Sequence, residues 1–266
     1  MNINTVKLAY FSPTKTTETI LHDIAKGIGP ETLDVIDITR SDARQQPLKV
    51  AEDELLIVGV PVYMGRVPAL VGEWLNALEA SNTPAVCVVV YGNREFDDAL
   101  IELKEWITGQ GCVPIAGAAY IGEHSFSDSG LPTAQGRPDQ DDRTHAEAFG
   151  QAIVKKMHSV SAISQFAPIE VPGNHPYKGK TTLWDVNFIA VSEECGQCGI
   201  CADVCPVEAI APEDSSRIDE VKCITCCACI KSCPQNARSI KPGPVNDAQK
   251  RLNTNCKAPK KPEWFL

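Results

Sequence analysis

The sequence has no excess of positive charge and no apolar run long enough to cross a bilayer. Among its 266 residues, 25 Lys and Arg stand against 34 Asp and Glu, for a formal net charge of −9. A general nucleic-acid binder needs a basic surface. The longest apolar stretches, 55–65 and 85–92, are far shorter than a transmembrane helix. We therefore expect a cytoplasmic protein with neither nucleic acid nor a membrane as its partner.

Two glycine-rich nucleotide motifs are also missing. The chain contains neither a Walker loop nor a Gly-x-Gly-x-x-Gly fingerprint. Disulfides are not expected among its 12 cysteines, because the cytosol keeps thiols reduced. Only Cys87 and Cys112 precede residue 190, nine cysteines fall between Cys195 and Cys233, and Cys256 follows. This uneven distribution divides the chain into two parts.

The first part alternates apolar runs with helical patterns. Strands are predicted at 6–11, 32–38, 54–63, 84–91 and 113–120, and helices at 14–26, 69–80, 96–108 and 139–158. Five strands alternating with helices predict an α/β fold with a five-stranded, parallel, doubly wound sheet. In such a sheet, ligands bind beyond the carboxyl ends of the strands.

The loop after the first predicted strand reads SPTKTT, residues 12–17. Free backbone N–H groups and the positive end of a helix dipole attract anions there. Four hydroxyls, with Lys15, favour a phosphate as the ligand. The alternative is an ordinary helix cap, for which one hydroxyl suffices.

Three further loops follow strand ends. PVYMGRVP (61–68) has stiffening prolines around Gly65, and YGNREFDD (91–98) begins with an aromatic residue and a tight turn. Taken alone, the first of these is equally compatible with a simple strand end. The third loop, 120–138, is too long for a simple connection and contains His124 and Arg137.

With these loops, the first part of the chain resembles a flavodoxin. The resemblance implies FMN, with its phosphate held by Ser12, Thr14, Lys15, Thr16 and Thr17. The ring would be lined by Pro61, Tyr63, Met64, Gly65, Tyr91, Gly92 and Asn93. Lys15 stands where the phosphate loop of this family usually has a glycine, so the resemblance leaves the shape of that turn in question.

The second part contains two copies of the pattern C-x₂-C-x₂-C-x₃-C-P, at 195–206 and 223–234. This pattern is typical of bacterial ferredoxins with two clusters, in which the fourth cysteine of each run binds the other cluster. One 4Fe–4S cluster would be bound by Cys195, Cys198, Cys201 and Cys233, and the other by Cys205, Cys223, Cys226 and Cys229. A zinc site would leave half of these cysteines unexplained. Cys227 is predicted to be a small core residue.

The fragment around these runs resembles a clostridial-type double-cluster ferredoxin, with a small α+β fold. We expect a flavodoxin-like domain (1–158), an extended linker (159–191), a ferredoxin domain (192–242) and a tail (243–266). Most of the tail is expected to be mobile, with Trp264, Phe265 and Leu266 as a segment that could dock onto the protein. Lys222, Lys231, Arg238 and Lys241 suggest a basic surface near the second run, although solvated side chains are the simpler account.

As a whole, the chain resembles the flavodoxin–ferredoxin fusion proteins of anaerobic bacteria and archaea. The resemblance implies an electron-transfer iron–sulfur flavoprotein that exchanges electrons with a redox protein, as donor or acceptor. The alternative is a flavin-dependent reductase of a small-molecule acceptor, fed through the clusters. A homodimer would be one way to bring the flavin and the clusters closer together.

Overall fold

The computed structural model of the chain describes residues 3–179 and 186–266. In chain order the strands are β1 (Thr5–Tyr10), β2 (Thr32–Asp37), β3 (Lys49–Val50), β4 (Glu54–Pro61), β5 (Glu79–Ala80), β6 (Thr83–Tyr91), β7 (Cys112–Ile121), β8 (Ile189–Val191), β9 (Ile210–Ala211), β10 (Asp214–Ile218), β11 (Arg238–Ile240) and β12 (Glu263–Phe265). The α-helices are α1 (Thr16–Ile28), α2 (Gly72–Asn76), α3 (Ala99–Gly109), α4 (Gln140–His158), α5 (Ile200–Asp203), α6 (Ala228–Lys231) and α7 (Pro244–Asn255). No helix within those two ranges has both the length and the hydropathy to cross a membrane.

The central sheet is mostly parallel and has the strand order β12-β7-β6-β4-β1-β2. Strands β2, β1, β4, β6 and β7 pair in parallel. Counted along the chain, these five strands lie in the order 2-1-3-4-5, which is the flavodoxin-like arrangement. The predicted α/β fold is confirmed, and β12 adds a sixth, antiparallel strand at the edge.

Both faces of this sheet are buried, which explains the continuous apolar runs in the sequence. On one face, Val6 and Leu8 of β1 pack with α1 and α4. On the opposite face, Ala9 packs with α2 and α3, and so does Phe11, which directly follows the strand. Every residue of β6 is buried. The sheet is therefore a rigid platform for the loops at its carboxyl edge.

Helices α1 and α4 approach each other closely at two glycines. A Cβ on Gly27 would lie 2.0 Å from the Glu147 carbonyl oxygen, and one on Gly150 would lie 2.2 Å from the Ile24 carbonyl oxygen. Larger side chains would push the helices apart. The pair fixes α1, whose first turn follows the predicted phosphate loop.

The predicted helix at 69–80 was wrong for its last four residues. A 3₁₀ turn at Ala69–Val71 leads into the five-residue α2, and the chain then forms β5. Strand β5 pairs in parallel with β3, and the Glu79 amide donates to the Leu48 carbonyl at 2.9 Å. These backbone partners, distant in sequence, replace the hydrogen bonds of a continued helix.

The predicted linker lacks regular structure over most of its length but is docked onto the first domain. Ile169 is buried, and Val171 packs against the core beneath α3. The backbone and side-chain nitrogens of Asn174 both donate to Asp98 Oδ1 at 2.8 Å. Residues 180–185 of the predicted linker lie outside the described residues.

The tail was predicted to be mobile over most of its length, but the structure has it ordered, and its end docks on the sheet. Residues 244–255 form α7, and β12 pairs with β7 along the sheet edge. Between them, Asn93 Nδ2 donates to the carbonyls of Cys256 and Ala258 at 2.8 and 3.0 Å, and the Lys260 amide donates to Asn93 Oδ1 at 3.0 Å. The end of the chain thereby covers an edge that would otherwise be unpaired.

The cysteine-rich part forms a small α+β unit, as predicted. Strands β8 and β11 pair antiparallel, as do β9 and β10. Along the chain, the short helix α5 lies between β8 and β9, and α6 lies between β10 and β11. Phe188, Ile189, Ile210 and Val245 form its small apolar core together with several cysteines. Val245 belongs to α7, so this helix contributes to the core of the second unit.

The docking of β12 depends on Trp264, whose ring centroid lies 4.6 Å from that of His145 and 5.4 Å from that of Phe149. Trp264→Ala removes these two ring contacts, which stabilise the docked strand by about 1–2 kcal/mol. We expect roughly tenfold faster tryptic cleavage after Lys257 and Lys260. Leu266→Ala is the control, and equal cleavage of wild type and Trp264→Ala would contradict this account.

Candidate functional site

The loop between β1 and α1 keeps its tight turn despite the lysine. Lys15 takes the left-handed conformation (φ 65°) that a glycine adopts most easily. Its amide donates to the Ser12 carbonyl at 3.2 Å, which closes the turn. The replacement of glycine by lysine therefore preserves the backbone shape and adds a positive charge.

The hydroxyls of this loop have two different roles. Ser12 is a cap, because its Oγ accepts from the Glu18 amide at 3.0 Å, and its own amide donates to Thr39 Oγ1 at 2.9 Å. Thr17 Oγ1 is buried and lacks a hydrogen-bond partner among the described residues. Buried hydroxyls are rarely left unpaired. A phosphate oxygen at this loop would supply the missing acceptor, so the residues present fit the predicted group.

The loop after β4 forms a narrow hairpin-like turn. Tyr63 and Arg66 exchange two backbone hydrogen bonds of 3.0 Å, with Met64 and Gly65 between them at φ 52° and 84°. A Cβ on Gly65 would lie 2.5 Å from Asp97 Oδ2. Glycine is therefore required here by its backbone angle and by the closeness of the next loop.

Two adjoining cavities open beside these loops. The smaller, of about 40 Å³, is lined by Thr14, Thr16, Pro61, Val62, Tyr63, Val90, Tyr91, Gly92, Gly122, Glu123, His124 and Ser125. The larger, of about 710 Å³, shares Val62, Tyr63, His124 and Ser125 with it and extends past Met64. Its volume lies in the range of small-molecule and cofactor sites. The two cavities lead from the phosphate loop to a mostly apolar chamber.

The structure brings most, but not all, of the predicted flavin-ring residues to these cavities. Gly65 shapes the loop without lining either cavity, and the side chain of Asn93 binds the C-terminal segment instead. Tyr91 is almost fully buried and packs against Phe96. The binding roles assigned from the resemblance stay predictions.

His124 lines both cavities, in the loop that follows β7. Its Nδ1 accepts from the Phe126 amide at 3.0 Å, so the neutral ring carries its proton on Nε2. Burial lowers its pKa to about 4, and the positive charges of Lys231 and Arg94 add to the shift. A neutral hydrogen-bond donor therefore lies at the junction of the cavities near pH 7.

Much of the large cavity's wall comes from the C-terminal half of the chain. Ile224 and Thr225 line it from between two cysteines of the second run, and α7 contributes Ala248, Arg251, Leu252 and Asn255. Nothing in the sequence links α7 to the flavodoxin-like loops. These residues were missed because only the tertiary packing brings the two halves together.

The structure brings together the four cysteines predicted to bind the second cluster. Cys205, Cys223, Cys226 and Cys229 line one small apolar cavity together with residues such as Phe188 and Ile218. The Ala209 amide points at Cys205 Sγ at 3.2 Å. Thiols in an apolar pocket, with backbone donors to sulfur, are the donor set that a 4Fe–4S cluster needs.

The first predicted set is more open. Cys201 is buried, whereas Cys198 is exposed and lies 3.9 Å (Sγ to Oε1) from Gln235, two residues after Cys233. The Ala237 amide points at Cys233 Sγ at 3.3 Å, as in the other run. No three His, Cys, Asp or Glu side chains of residues 3–179 and 186–266 are arranged to hold a single metal ion.

The two cysteine runs are structural repeats, and this explains Cys227. Gly199 and Cys227 occupy the same place in their runs, directly before α5 and α6, with φ 79° and 59°. Cys227 is buried, and its Sγ lies 3.8 Å from the Thr225 carbonyl. It thus occupies the left-handed position of a glycine, and Cys226 retains the regular spacing.

Comparison with known proteins supports the iron–sulfur assignment. Residues 190–252 match the family model of the 4Fe-4S dicluster domain. The iron–sulfur prediction is therefore confirmed for this part of the chain, whereas the cluster count and the individual ligands stay predictions. No curated protein matches the chain.

Among solved structures, the chain is similar to oxidised flavodoxin 1 from Bacillus cereus, at 16% identity, over 59% of this chain and 99% of that one, with a TM-score of 0.39. Flavodoxin from Fusobacterium nucleatum bound to flavin mononucleotide matches at 14% identity, over 57% and 98%, with a TM-score of 0.37. Rubredoxin oxygen:oxidoreductase from the anaerobe Desulfovibrio gigas matches at 16% identity, over 59% and 36%, with a TM-score of 0.41.

The depressed pKa of His124 predicts an acid-sensitive fold. The unfolded chain takes up this proton below pH 6.5, whereas the folded chain takes it up only near pH 4. Stability is therefore lost as the pH falls from 6.5 towards 4. His124→Asn keeps an acceptor for the Phe126 amide. Between pH 7 and 5, the free energy of unfolding of this variant should fall by about 1–2 kcal/mol less than that of wild type.

Anaerobic urea unfolding at the two pH values measures this difference. His158→Gln, at the exposed end of α4, is the control. The same loss of stability in wild type and in His124→Asn would show that His124 is not the group responsible.

Proposed function

We propose that this chain is an electron-transfer iron–sulfur flavoprotein that binds FMN and two 4Fe–4S clusters and exchanges electrons with a redox protein. FMN accepts electrons singly or in pairs, and iron–sulfur clusters pass them one at a time. The loop at 12–17 would hold the phosphate, the adjoining cavities would hold the rest of FMN, and the two cysteine sets would hold the clusters.

One observation carries this proposal. Ile224 lines both the large cavity and the cavity of the second cysteine set, and its neighbour Thr225 also faces the large cavity. These residues lie between Cys223 and Cys226, two of the predicted cluster ligands. A single layer of chain would therefore separate the two proposed cofactor sites, and this proximity supports direct electron transfer between them.

Tyr63 reinforces this proximity from the opposite side. It lines both cavities of the flavodoxin-like domain. Burial raises its pKa well above the usual value, and the nearby thiols of Cys226 and Cys227 add to the shift. An aromatic ring thus lies close to a predicted cluster ligand.

Two basic residues hold the domains in this position. Arg44 donates to the carbonyls of Thr39 and, across the domain boundary, Pro206, both at 2.6 Å. Thr39 in turn accepts from the Ser12 amide in the phosphate loop.

On the other side, Lys231 donates to the Ser127 carbonyl at 2.6 Å and pairs with Glu123. Both contacts join a residue near a cysteine run to a loop near the cavities.

The first cysteine set would be the contact point for the protein partner. Cys198 is exposed there, and so is Ile200, at 37%. The second set, in contrast, lies against the large cavity. We therefore propose that electrons cross the surface at the first set and reach the flavin through the second.

A second candidate function is the reduction of a small-molecule acceptor. Lys178 and Arg251 both line the large cavity, together with the ion pair of Arg94 and Asp97. Lys178 interacts electrostatically with Asp98, whereas Arg251 forms no ion pair with any residue the structure describes. The unpaired charge of Arg251 favours an anionic acceptor. Turnover with such compounds, absent from the carrier function, would distinguish the two.

Purified anaerobically, the protein should contain about eight irons and one FMN per chain. When a light pulse reduces only a small fraction of the protein molecules, electrons should then redistribute between flavin and clusters. The first-order rate constant of this step should not depend on protein concentration. Iron without flavin, or a rate proportional to concentration, would contradict the proposed path.

The buried hydroxyl of Thr17 gives a sharper test of the phosphate site. Thr17→Val keeps the side-chain shape and removes an Oγ1 that has no partner among the described residues. A lost hydrogen bond to a charged group should weaken FMN binding roughly 10- to 100-fold without lowering stability.

Fluorescence titration of flavin-depleted protein measures the dissociation constant. Thr108→Val in α3 is the matched control, because the Thr108 hydroxyl donates to the Lys104 carbonyl of its own helix at 2.7 Å and lies outside the phosphate loop. Equal affinity of wild type and Thr17→Val would exclude Thr17 from the phosphate site.

A further inference from the structure

Arg238 is a buried cation without a counter-ion in the described chain. Its residue is only 4% exposed. One guanidinium nitrogen, Nη2, donates to the Ser215 carbonyl, but Nη1 is buried without a hydrogen-bond partner. Arg238 forms no ion pair with a carboxylate of residues 3–179 or 186–266. The sequence had suggested that it belongs to a basic surface, and this was wrong.

Such an arrangement is costly unless a negative group is bound nearby. A buried charge is stable in a protein when it is paired or fully hydrogen-bonded. The Oγ of Ser215, which is also buried, likewise has no partner in the described structure. Two neighbouring residues thus each have a buried polar atom without a partner, which points to a missing anionic group.

The surroundings of Arg238 associate it with the first cysteine set. The Ser215 amide donates to Gln197 Oε1 at 2.8 Å, and Gln197 lies between Cys195 and Cys198. The residue before Arg238, Ala237, directs its amide at Cys233 Sγ. Arg238 is therefore connected on both sides to segments that carry the predicted ligands of the first cluster, and its charge also acts on the thiol of Cys229, a predicted ligand of the second.

The internal repeat gives independent support. The sequence CPVEAI ends at Ile210, and the matching CPQNAR ends at Arg238. Ile210 lines the apolar cavity of the second cysteine set. At the equivalent place, beside the other set, the chain has a guanidinium, so the two otherwise similar sites differ by one buried positive charge.

We propose that Arg238 is the counter-ion of the first cluster and raises the reduction potential of that cluster above that of the second. This inference rests on the proposed function, because it requires both clusters to be bound. Reduction by a one-electron protein donor would add one negative charge to the cluster and oxidise the donor, with no bond broken and no proton moved. The positive charge of the guanidinium would interact more favourably with the reduced form.

Redox titration followed by EPR of the intact protein tests this inference. Arg238→Gln keeps a donor towards the Ser215 carbonyl without the charge, and Arg238→Met removes both. In each, the higher of the two midpoint potentials should fall. At the wild-type midpoint, the ratio of reduced to oxidised first cluster should drop at least tenfold, equivalent to about 59 mV for a one-electron couple.

Two further variants separate charge from shape. In Arg238→Lys, the higher of the two midpoint potentials should stay closer to the wild-type value than in either neutral variant. Arg217→Met removes an exposed arginine from β10, the strand of Ser215, and should leave both potentials unchanged. If the neutral variants fail to retain iron and Arg238→Lys retains it, the need for a cation is supported. Loss of iron from Arg238→Lys as well would overturn it.

The remaining outcomes distinguish the two proposals. Wild-type protein without two reducible clusters would contradict the proposed function itself. Two clusters whose potentials are the same in wild type and in Arg238→Gln, or a fall confined to the lower potential, would overturn only the role of Arg238.

Discussion

The two residues between Cys223 and Cys226 are the constraint on which the rest of the arrangement depends. The spacing C-x₂-C leaves only Ile224 and Thr225 to span the gap, and Thr225 does so in a left-handed conformation (φ 55°). The same two residues form a wall of the large cavity. One short segment must therefore satisfy the geometry of a predicted cluster site and of a flavin-sized chamber together.

Most contacts between the two halves can be understood as support for that wall. Arg44 reaches the carbonyl of Pro206, which directly follows a predicted ligand, and its guanidinium lies 5.7 Å from the centre of the Phe11 ring. Burial lowers the pKa of Arg44, although nearby carboxylates act against the shift. Helix α7 closes the chamber from the other side, and Asn93 fixes the chain that leaves it. The interface is held both by backbone carbonyls, such as those of Pro206 and Ser127, and by side chains, as in the ion pair of Lys231 and Glu123.

The cysteine-rich unit combines repetition with difference. Its two runs share their spacing, their amide-to-sulfur contacts and their left-handed turns. They differ in that one set is open to the surface and the other lies against the chamber, and in that Ile210 corresponds to Arg238. A repeated fold thus gives two sites of similar shape whose exposure and electrostatics differ. Exposure and local charge are among the factors that set cluster potentials.

The sequence by itself determined the α/β class, the position of the loops at the carboxyl edge and the iron–sulfur character of the two cysteine runs. These follow from local periodicity and from fixed ligand spacing, which need no knowledge of distant contacts. It failed for the last four residues of the helix at 69–80, for the mobility expected of most of the tail, and for the exposure of Arg238. In each case the deciding partner is far away in the chain: Leu48 for Glu79, Asn93 for Cys256 in the tail, and Ser215 for Arg238. Only the tertiary structure decided that Ile224 faces two cavities and that Arg238 is buried, because burial and shared walls are properties of packed segments and not of any one segment.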